Sequence, residues 1–281
     1  MKLFKTAKGI FLKNNNRNYI LKGEWNTIIN RDNLFEYLSQ QINDEQYSDD
    51  SKSSSIIEDF TLAPIGQQEV WAAGVTYLRS RDARMEESKD SGGADFYSKV
   101  YNAQRPELFF KSMPHRVAAH KENVFIRKDS QWNAPEPELT LFINSNGKIQ
   151  GYTIGNDMSS RDIEGENPLY LPQAKVYEKS AALGPCLYVP EHPISSETVI
   201  GISVNRDEKN IFKSEIQLNR MKRSFTDLTE YLFRECDFEN GVFLMTGTGI
   251  VPPNEFSLKA GDKIEISIDK IGMLTNIVAY K

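Results

Sequence analysis

The chain has 281 residues, of which 39% are hydrophobic, and 34 basic against 39 acidic side chains give a formal net charge of −5. That composition can bury a core and excludes global disorder, and no segment concentrates Lys and Arg as a nucleic-acid-binding stripe does. No apolar run approaches the roughly 20 residues that cross a bilayer. The start, Met1 to Lys5, lacks the apolar segment and small-residue cleavage site of a signal peptide. The two cysteines, Cys186 and Cys236, stand in apolar contexts and are expected to be buried and reduced. Together these features predict a cytoplasmic protein whose partner is a small molecule rather than nucleic acid or membrane.

In chain order, residues before about Ile42 form a short unit. Asn14-Asn15-Asn16 marks a turn, and Asp32 is placed to cap a helix carrying Leu34, Phe35, Leu38 and Ile42 on one face. Residues 43–55 are polar and nearly free of core-formers, which predicts a linker or a surface loop. The division is therefore 1–58 for a small N-terminal α/β domain with its linker, and 59–281 for the main domain. From Phe60 onward, short β-like runs are punctuated by Gly and Pro. Val199 to Val204 and Lys263 to Ile268 alternate as half-buried strands do. Ser224 and Asp227 form a capping box ahead of a helix with Leu228, Tyr231 and Leu232 facing inward. The expected class is α+β, mostly β.

The informative stretch runs from Pro135 to Asp157. Asn146-Gly147 between two apolar runs predicts a hairpin with a two-residue type I′ turn, which sets Phe142 opposite Gly151 and Glu136 opposite Asp157. With a side-chain period of two, Leu139, Leu141, Ile143, Gln150, Tyr152 and Ile154 share a largely apolar face. Glu136, Glu138, Thr140, Thr153 and Asp157 share the other. Opposed Cβ atoms in such a ladder are roughly 4.5–5.5 Å apart. Three carboxylates that close repel one another, and burial raises their pKa values unless a cation compensates. A hard divalent ion, Mg²⁺ with Mn²⁺ as its substitute, fits an all-oxygen donor set. Pro135 and Pro137 cannot donate ladder hydrogen bonds and predict an open edge there. The same spacing also suits a solvated acidic patch; the apolar far face favours a site.

Gly151-Tyr152-Thr153-Ile154-Gly155-Asn156-Asp157-Met158-Ser159-Ser160-Arg161-Asp162, with Glu136-Pro137-Glu138 upstream and Leu183-Gly184-Pro185 downstream, resembles the fumarylacetoacetate hydrolase superfamily. Thr246-Gly247-Thr248-Gly249 and Leu258 to Asp262 fit its C-terminal part, so the resemblance runs from about Thr61 to the end. It implies that superfamily's mixed β-sandwich roll, a homodimer or homotetramer, and a Mg²⁺ site with Glu136, Glu138 and Asp157 as ligands. It also implies Lys175 as catalytic lysine and Thr248 as the contact to a substrate carboxylate. The hydrolases of the family carry a His–Glu pair on the active-site lid. Here Ser80 stands at the histidine position and Ala83 at the glutamate position. The Trp71–Arg84 run, Pro106 to Lys111 and Asp162 to Pro168 instead resemble the 2-dehydro-3-deoxy-D-arabinonate or xylonate dehydratases.

That resemblance implies a 2-oxo acid chelated to the ion, loss of a C3 proton to Lys175, and departure of the C4 hydroxyl with a proton from Glu107, giving 2,5-dioxopentanoate and water. Tyr77, Arg79, Arg81, Lys111 and Glu164 are the candidates for holding the substrate. Two alternatives are kept: an acylpyruvate hydrolase or oxaloacetate decarboxylase of the same superfamily, and a non-catalytic 2-oxo-acid binding protein. His115, His120 and His192 show no ligand spacing. Thr246 to Gly249 lacks the Gly-Lys-Ser/Thr that a phosphate loop requires, so nucleotide binding is set aside.

Overall fold

A computed structural model describes residues 1–43, 47–87 and 94–281 of the chain. Its strands, in order, are β1 (Lys2–Thr6), β2 (Gly9–Asn14), β3 (Arg17–Leu21), β4 (Tyr47–Ser48), β5 (Glu69–Gly74), β6 (Glu107–Ser112), β7 (Val117–Ala118), β8 (Asn123–Ile126) and β9 (Asn133–Ala134). They continue as β10 (Pro137–Ile143), β11 (Ile149–Asp157), β12 (Ser159–Ser160), β13 (Ala181–Tyr188), β14 (Val199–Arg206), β15 (Lys209–Gln217), β16 (Val242–Met245), β17 (Lys263–Ile268) and β18 (Gly272–Tyr280). The helices are α1 (Trp25–Ile29), α2 (Leu34–Gln40), α3 (Asp50–Phe60), α4 (Leu78–Glu87), α5 (Ala94–Asn102), α6 (Arg161–Glu166), α7 (Leu171–Lys175) and α8 (Phe225–Phe233).

Two large sheets build the described residues, with a two-stranded β12-β9 ladder beside them. The larger runs β4-β3-β2-β1-β13-β11-β10-β16-β5-β6, with β7 beside β13, and the smaller runs β15-β14-β17-β18-β8. The ladders are mixed: β16–β5, β13–β7 and β18–β8 are parallel and the others antiparallel. The alternating runs at Val199 and Lys263 are β14 and β17. Their inward residues Ile200, Ile202, Val204, Ile264, Ile266 and Ile268 pack with Leu139, Leu141, Ile143, Tyr152 and Ile154 of the larger sheet. A second core on that sheet's opposite side joins Phe142, Phe243 and Met245 to Leu3, Leu12, Trp25, Leu34 and Leu38. The central strand β10 is thus covered on both faces, and all seven of its residues are buried. The fold is the mostly-β sandwich expected from the sequence.

The hairpin register is as predicted from Glu136 to Phe142: Phe142 pairs Gly151, and Glu136 and Asp157 exchange backbone hydrogen bonds of 3.2 and 3.0 Å. The tip differs. Only Gly147 takes a positive φ (+71°) there, Gly147 N–H donates to Asn144 O, and the register shifts after Phe142. The connection is therefore a three-residue loop with glycine at the left-handed position, not a two-residue type I′ turn. The edge expected at Pro135 and Pro137 is also absent, because β10 is interior. Pro137 is tolerated because β16 ends at Met245, whose partner is Thr140, so no neighbouring strand calls for its missing N–H.

Three other expectations change. Asp32 does not cap α2, whose N-cap is Asn33 without a side-chain bond. Asp32 instead accepts hydrogen bonds from Asn144 (2.7 Å), Asn146 (3.2 Å) and Lys148 (2.6 Å), clamping the hairpin tip, while Gln150 Oε1 accepts from Leu34 N. The segment expected as linker is helical from Asp50: Asp49 accepts from Lys52 N, and Ser53, fully buried, accepts from Asn18. Residues 44–46 of that segment lie outside the described residues. Cys186 is buried as expected, but Cys236 is exposed, just past the end of α8. Strands β1 to β3 extend the larger sheet through the β1–β13 ladder.

The hydrogen bonds from Lys148, Asn144 and Asn146 depress the Asp32 carboxyl to about 2. A depressed carboxylate stabilises the fold above its unfolded pKa of about 3.9 and loses that contribution as pH falls through the folded value. Asp32→Asn should therefore lower the thermal midpoint at pH 7, and the gap between variant and wild type should close as pH approaches 2. A gap that persists unchanged at pH 2 would show that the carboxylate charge is not what holds the tip.

Candidate active site

The two central strands present their carboxylates at one end of the hairpin. Glu136, just before β10, faces Asp157 at the end of β11, and Glu138 lies two residues on, on the same side. The three offer ligand oxygens within 4.8 Å of one another, and their exposures are 5%, 1% and 1%. The expectation of a shared face is met, and the solvated-patch alternative is not. They line a cavity together with Glu107, Glu164, Lys175 and Thr248.

Each carboxylate is held differently. Glu136 Oε2 accepts from Lys175 Nζ at 2.8 Å, and Oε1 faces Arg84 at 3.2 Å and Arg161 at 3.4 Å. Asp157 lies between two lysines, with Lys175 Nζ 3.1 Å from Oδ2 and Lys111 Nζ 2.6 Å from Oδ1. Glu138 accepts a 2.6 Å bond from Gly247 N–H. Gly247 has φ +89°, and a Cβ there would lie 2.1 Å from Thr76 Oγ1 and 2.8 Å from Ala73 O, so only glycine can bring that amide in.

These environments separate the pKa values. Burial pushes the Glu136 carboxyl up, but Lys175, Arg84 and Arg161 outweigh it and hold it below the carboxylate range. Burial, then the charges of Asp157 and Glu136, push Glu138 well above that range. Glu107, at the start of β6, is also raised, chiefly by burial. Burial opposes the charge on Lys175, yet Asp157 and Glu136 prevail and its pKa stands above the usual lysine value. Lys111 goes the other way, lowered to about 8 chiefly by burial.

The site carries more negative than positive charge. Six carboxyls (Glu87, Glu107, Glu136, Glu138, Asp157, Glu164) meet four cations (Arg84, Lys111, Arg161, Lys175) in ion pairs or in the cavity wall. The excess of two is the charge of one divalent ion. Without an ion, that excess falls on Glu138 and Glu107, the two carboxyls pushed up. A trio of hard oxygen donors this close, with a two-charge deficit around it, fits Mg²⁺. Mutual compensation by lysines alone leaves Glu138 with no cationic side chain against it.

Other predicted residues divide between the cavity and its surroundings. Lys175 reaches the cavity from the C-terminal end of α7 and donates also to Ser159 Oγ at 2.5 Å. Glu107, Glu164 and Thr248 line the cavity too, Glu107 lying against Gly74. Tyr77 is buried beneath Gly249, and its Oη has no hydrogen-bond partner among the described residues. Lys111 is sealed behind Asp157, donating to Met158 O and Lys175 O, and does not line the cavity. Arg79 and Arg81 also stay outside it: Arg79 is exposed, and Arg81 pairs with Asp82 and lies over Tyr101. The reason is that residues 78–87 form the helix α4, whose inward positions are Ser80, Ala83, Arg84 and Glu87. Arg84 and Arg161 are not among the residues to which the sequence assigns a role. The spacing of Ser80, Ala83, Arg84 and Glu87 at 0, 3, 4 and 7 was the available signal for Arg84. Among the described residues no histidine lines the cavity.

Comparisons agree with this geometry. The family described as fumarylacetoacetate (FAA) hydrolase C-terminal matches residues 70–279. A 2-dehydro-3-deoxy-D-arabinonate dehydratase of Saccharolobus solfataricus is 40% identical over 243 residues, covering 85% of this chain and 81% of the relative. A probable 2-keto-3-deoxyxylonate dehydratase of Haloferax volcanii is 41% identical over 230 residues, 82% of this chain and 78% of the relative. A solved structure of 2-keto-3-deoxy-D-arabinonate dehydratase complexed with magnesium and 2,5-dioxopentanoate superposes with a TM-score of 0.85 at 32% identity, covering 100% of this chain and 99% of that one.

The charge imbalance gives a test with opposite signs. Mg²⁺ at 100-fold above its Kd should stabilise the wild type by about 2.7 kcal/mol. Glu138→Gln, isosteric and uncharged, should raise the midpoint of the metal-free protein and abolish the rise with Mg²⁺. Paired melts with and without the ion read both effects, and a full Mg²⁺ response in the variant would remove Glu138 from the ligand set.

Proposed function

The chain belongs to the fumarylacetoacetate hydrolase family, and from that premise we propose that it is a magnesium-dependent dehydratase. Its substrate would be a 2-dehydro-3-deoxy-pentonate of the D-arabinonate or D-xylonate series, converted to 2,5-dioxopentanoate and water. The observation that carries this reading is a buried carboxylate trio in a cavity that Ser80 and Ala83 line and no histidine among the described residues enters; by the sequence resemblance, those two positions are the ones that carry the His–Glu pair in the hydrolases. A cavity without that water-activating pair suits elimination within the substrate better than hydrolysis of a C–C bond. The relatives named as dehydratases, at 40 and 41% identity, support the same choice.

Glu136, Glu138 and Asp157 would hold the ion, which when bound supplies Lewis acidity toward the 2-oxo group. Lys175, which lines the cavity, is assigned the proton removed from C3: Asp157 and Glu136 hold it charged in the metal-free site, and a divalent ion on those carboxylates would offset their charge and lower its pKa toward the neutral, proton-accepting form. Glu107, whose raised pKa favours its protonated form, is assigned the proton given to the departing C4 hydroxyl. The C3–H and C4–O bonds break, a C3–C4 double bond forms, and water leaves. Proton shifts from C5 to C3 and from the C5 hydroxyl to C4 then convert the enone to the dioxo acid. Thr248 and Glu164, both in the wall, are the contacts assigned to the substrate carboxylate and hydroxyls. Tyr77 and Lys111 support the site from behind, and Arg79 and Arg81 take no part in it. Mn²⁺ would serve the same oxygen donors. A homodimer or homotetramer in the cytoplasm is the setting this reading implies. No described helix is long and apolar enough to cross a membrane.

The test is detection of 2,5-dioxopentanoate from a panel of 2-dehydro-3-deoxy-pentonates, with activity lost on chelation and restored by Mg²⁺. Release of pyruvate from an acylpyruvate, with no dioxo acid from the panel, would replace the dehydratase by a hydrolase. A second test uses pH. An acid acts while protonated, so kcat should fall as pH rises through the raised Glu107 value. Glu107→Gln should lower kcat by about 10²- to 10⁴-fold and remove that alkaline limb; a limb that survives unchanged assigns the proton to another group.

A further inference from the structure

Five buried charges form one connected network, and the reaction scheme gives no role to three of them, Arg84, Glu87 and Arg161. Arg84 on α4 faces three carboxylates from three elements: Glu87 on its own helix at 3.8 Å, Glu136 beside β10 at 3.2 Å, and Glu164 on α6 in direct contact. Arg161 on α6 completes the circuit, contacting Glu87 and lying 3.4 Å from Glu136. The five side chains are 2 to 12% exposed. Both arginines converge on the same oxygen, Oε1 of Glu136, while Oε2 is left to Lys175 and the cavity. Through the same guanidinium, α4 is fastened to α6, and α4 is the element that places Ser80 and Ala83 in the wall.

We propose that Arg84 is a positioning residue for the reaction: it fixes Glu136 by Oε1 so that Oε2 is the oxygen presented to a divalent ion, and it locks α4 against α6 over the substrate. The inference rests on the magnesium-dependent reading of the site and extends it to a residue that no contact with the ion requires. Electrostatics alone predicts the reverse of this role. Arg84 is a positive charge against a ligand carboxylate, so its removal, considered only as charge, should tighten the binding of a cation. A positioning role predicts weaker binding despite the lost repulsion, because partners that orient a ligating carboxylate are typically worth 10- to 100-fold in metal affinity or activity.

Arg84→Met alone strands Glu164 as a buried charge and endangers folding. The informative variant is Arg84→Met with Glu164→Gln, which removes one charge of each sign and leaves the net charge of the site unchanged. Calorimetric titration of the metal-free protein with Mg²⁺ is the primary readout, beside kcat, KM and the thermal midpoint. The double variant should melt close to the wild type, bind Mg²⁺ about 10-fold or more weakly, and lose at least 10-fold in kcat/KM. Arg84→Lys keeps the charge but loses the two-pronged fork, and should fall between the two. Wild-type or tighter Mg²⁺ binding by a folded double variant would overturn the proposal while leaving the metal site standing. Absence of Mg²⁺ binding by the wild type would overturn both.

Discussion

The structure depends on one unfavourable arrangement: three carboxylates folded to the same end of a hairpin and removed from water. Each alone costs several kcal/mol of desolvation, and their mutual repulsion adds to it. The fold tolerates this because β10 and β11 are interior strands whose outer residues are locked into two hydrophobic cores, so the ligands cannot swing apart to relieve the strain. Lys175, Lys111, Arg84, Arg161 and the Gly247 amide are then aimed inward, yet the balance stays negative. The scaffold thereby keeps a net negative charge at this end of the hairpin, which a doubly positive ion would offset.

That reasoning also orders the acid–base groups. Glu136, surrounded by cations, is held ionised, whereas Glu138 and Glu107, farther from cationic contact, are pushed toward protonation. Lys175, facing two carboxylates, is held charged, and Lys111 behind Asp157 is lowered to about 8. Pairs of like groups with opposed shifts are what an active site needs for proton traffic near neutral pH. Here the asymmetry arises from position along two strands: the residue at the mouth meets the arginines of α4 and α6, and the one two residues deeper meets only a backbone amide.

The parts of this arrangement that were legible in the sequence are those set by local periodicity. Alternation along residues 136–157 places the three carboxylates on one face without any knowledge of the rest of the chain, and Phe142 opposite Gly151 follows from the turn's location even though the turn type differs. The capping box at Ser224 is equally local, with Ser224 Oγ accepting from Asp227 N at 3.0 Å. What was not legible is set by tertiary contact. Asp32 sits where a cap belongs but is drawn to Lys148, distant by 116 positions in sequence. The serine-rich segment after Asp49 is poor in core-formers, yet one buried serine and the half-buried Ile56 and Ile57 suffice to dock it as a helix. Arg84 resembles Arg79 and Arg81 in composition, and only the helical phase of α4 separates the one that enters the cavity from the two that do not.

The same contrast between strand-borne and helix-borne groups bears on specificity. Glu136, Glu138 and Asp157 stand on or beside β10 and β11, interior strands of the larger sheet, so their placement belongs to the sheet scaffold. Ser80, Ala83, Arg84 and Glu164 stand on short helices fastened to that scaffold by ion pairs and little apolar packing, and these helices close the remaining wall. In this chain Ser80 and Ala83 present no titratable side chain to the cavity, and the ion pairs Arg84–Glu164 and Arg161–Glu87 tie α4 to α6, so the acid–base groups of the wall come from the sheet and from α6 and α7 rather than from those two positions.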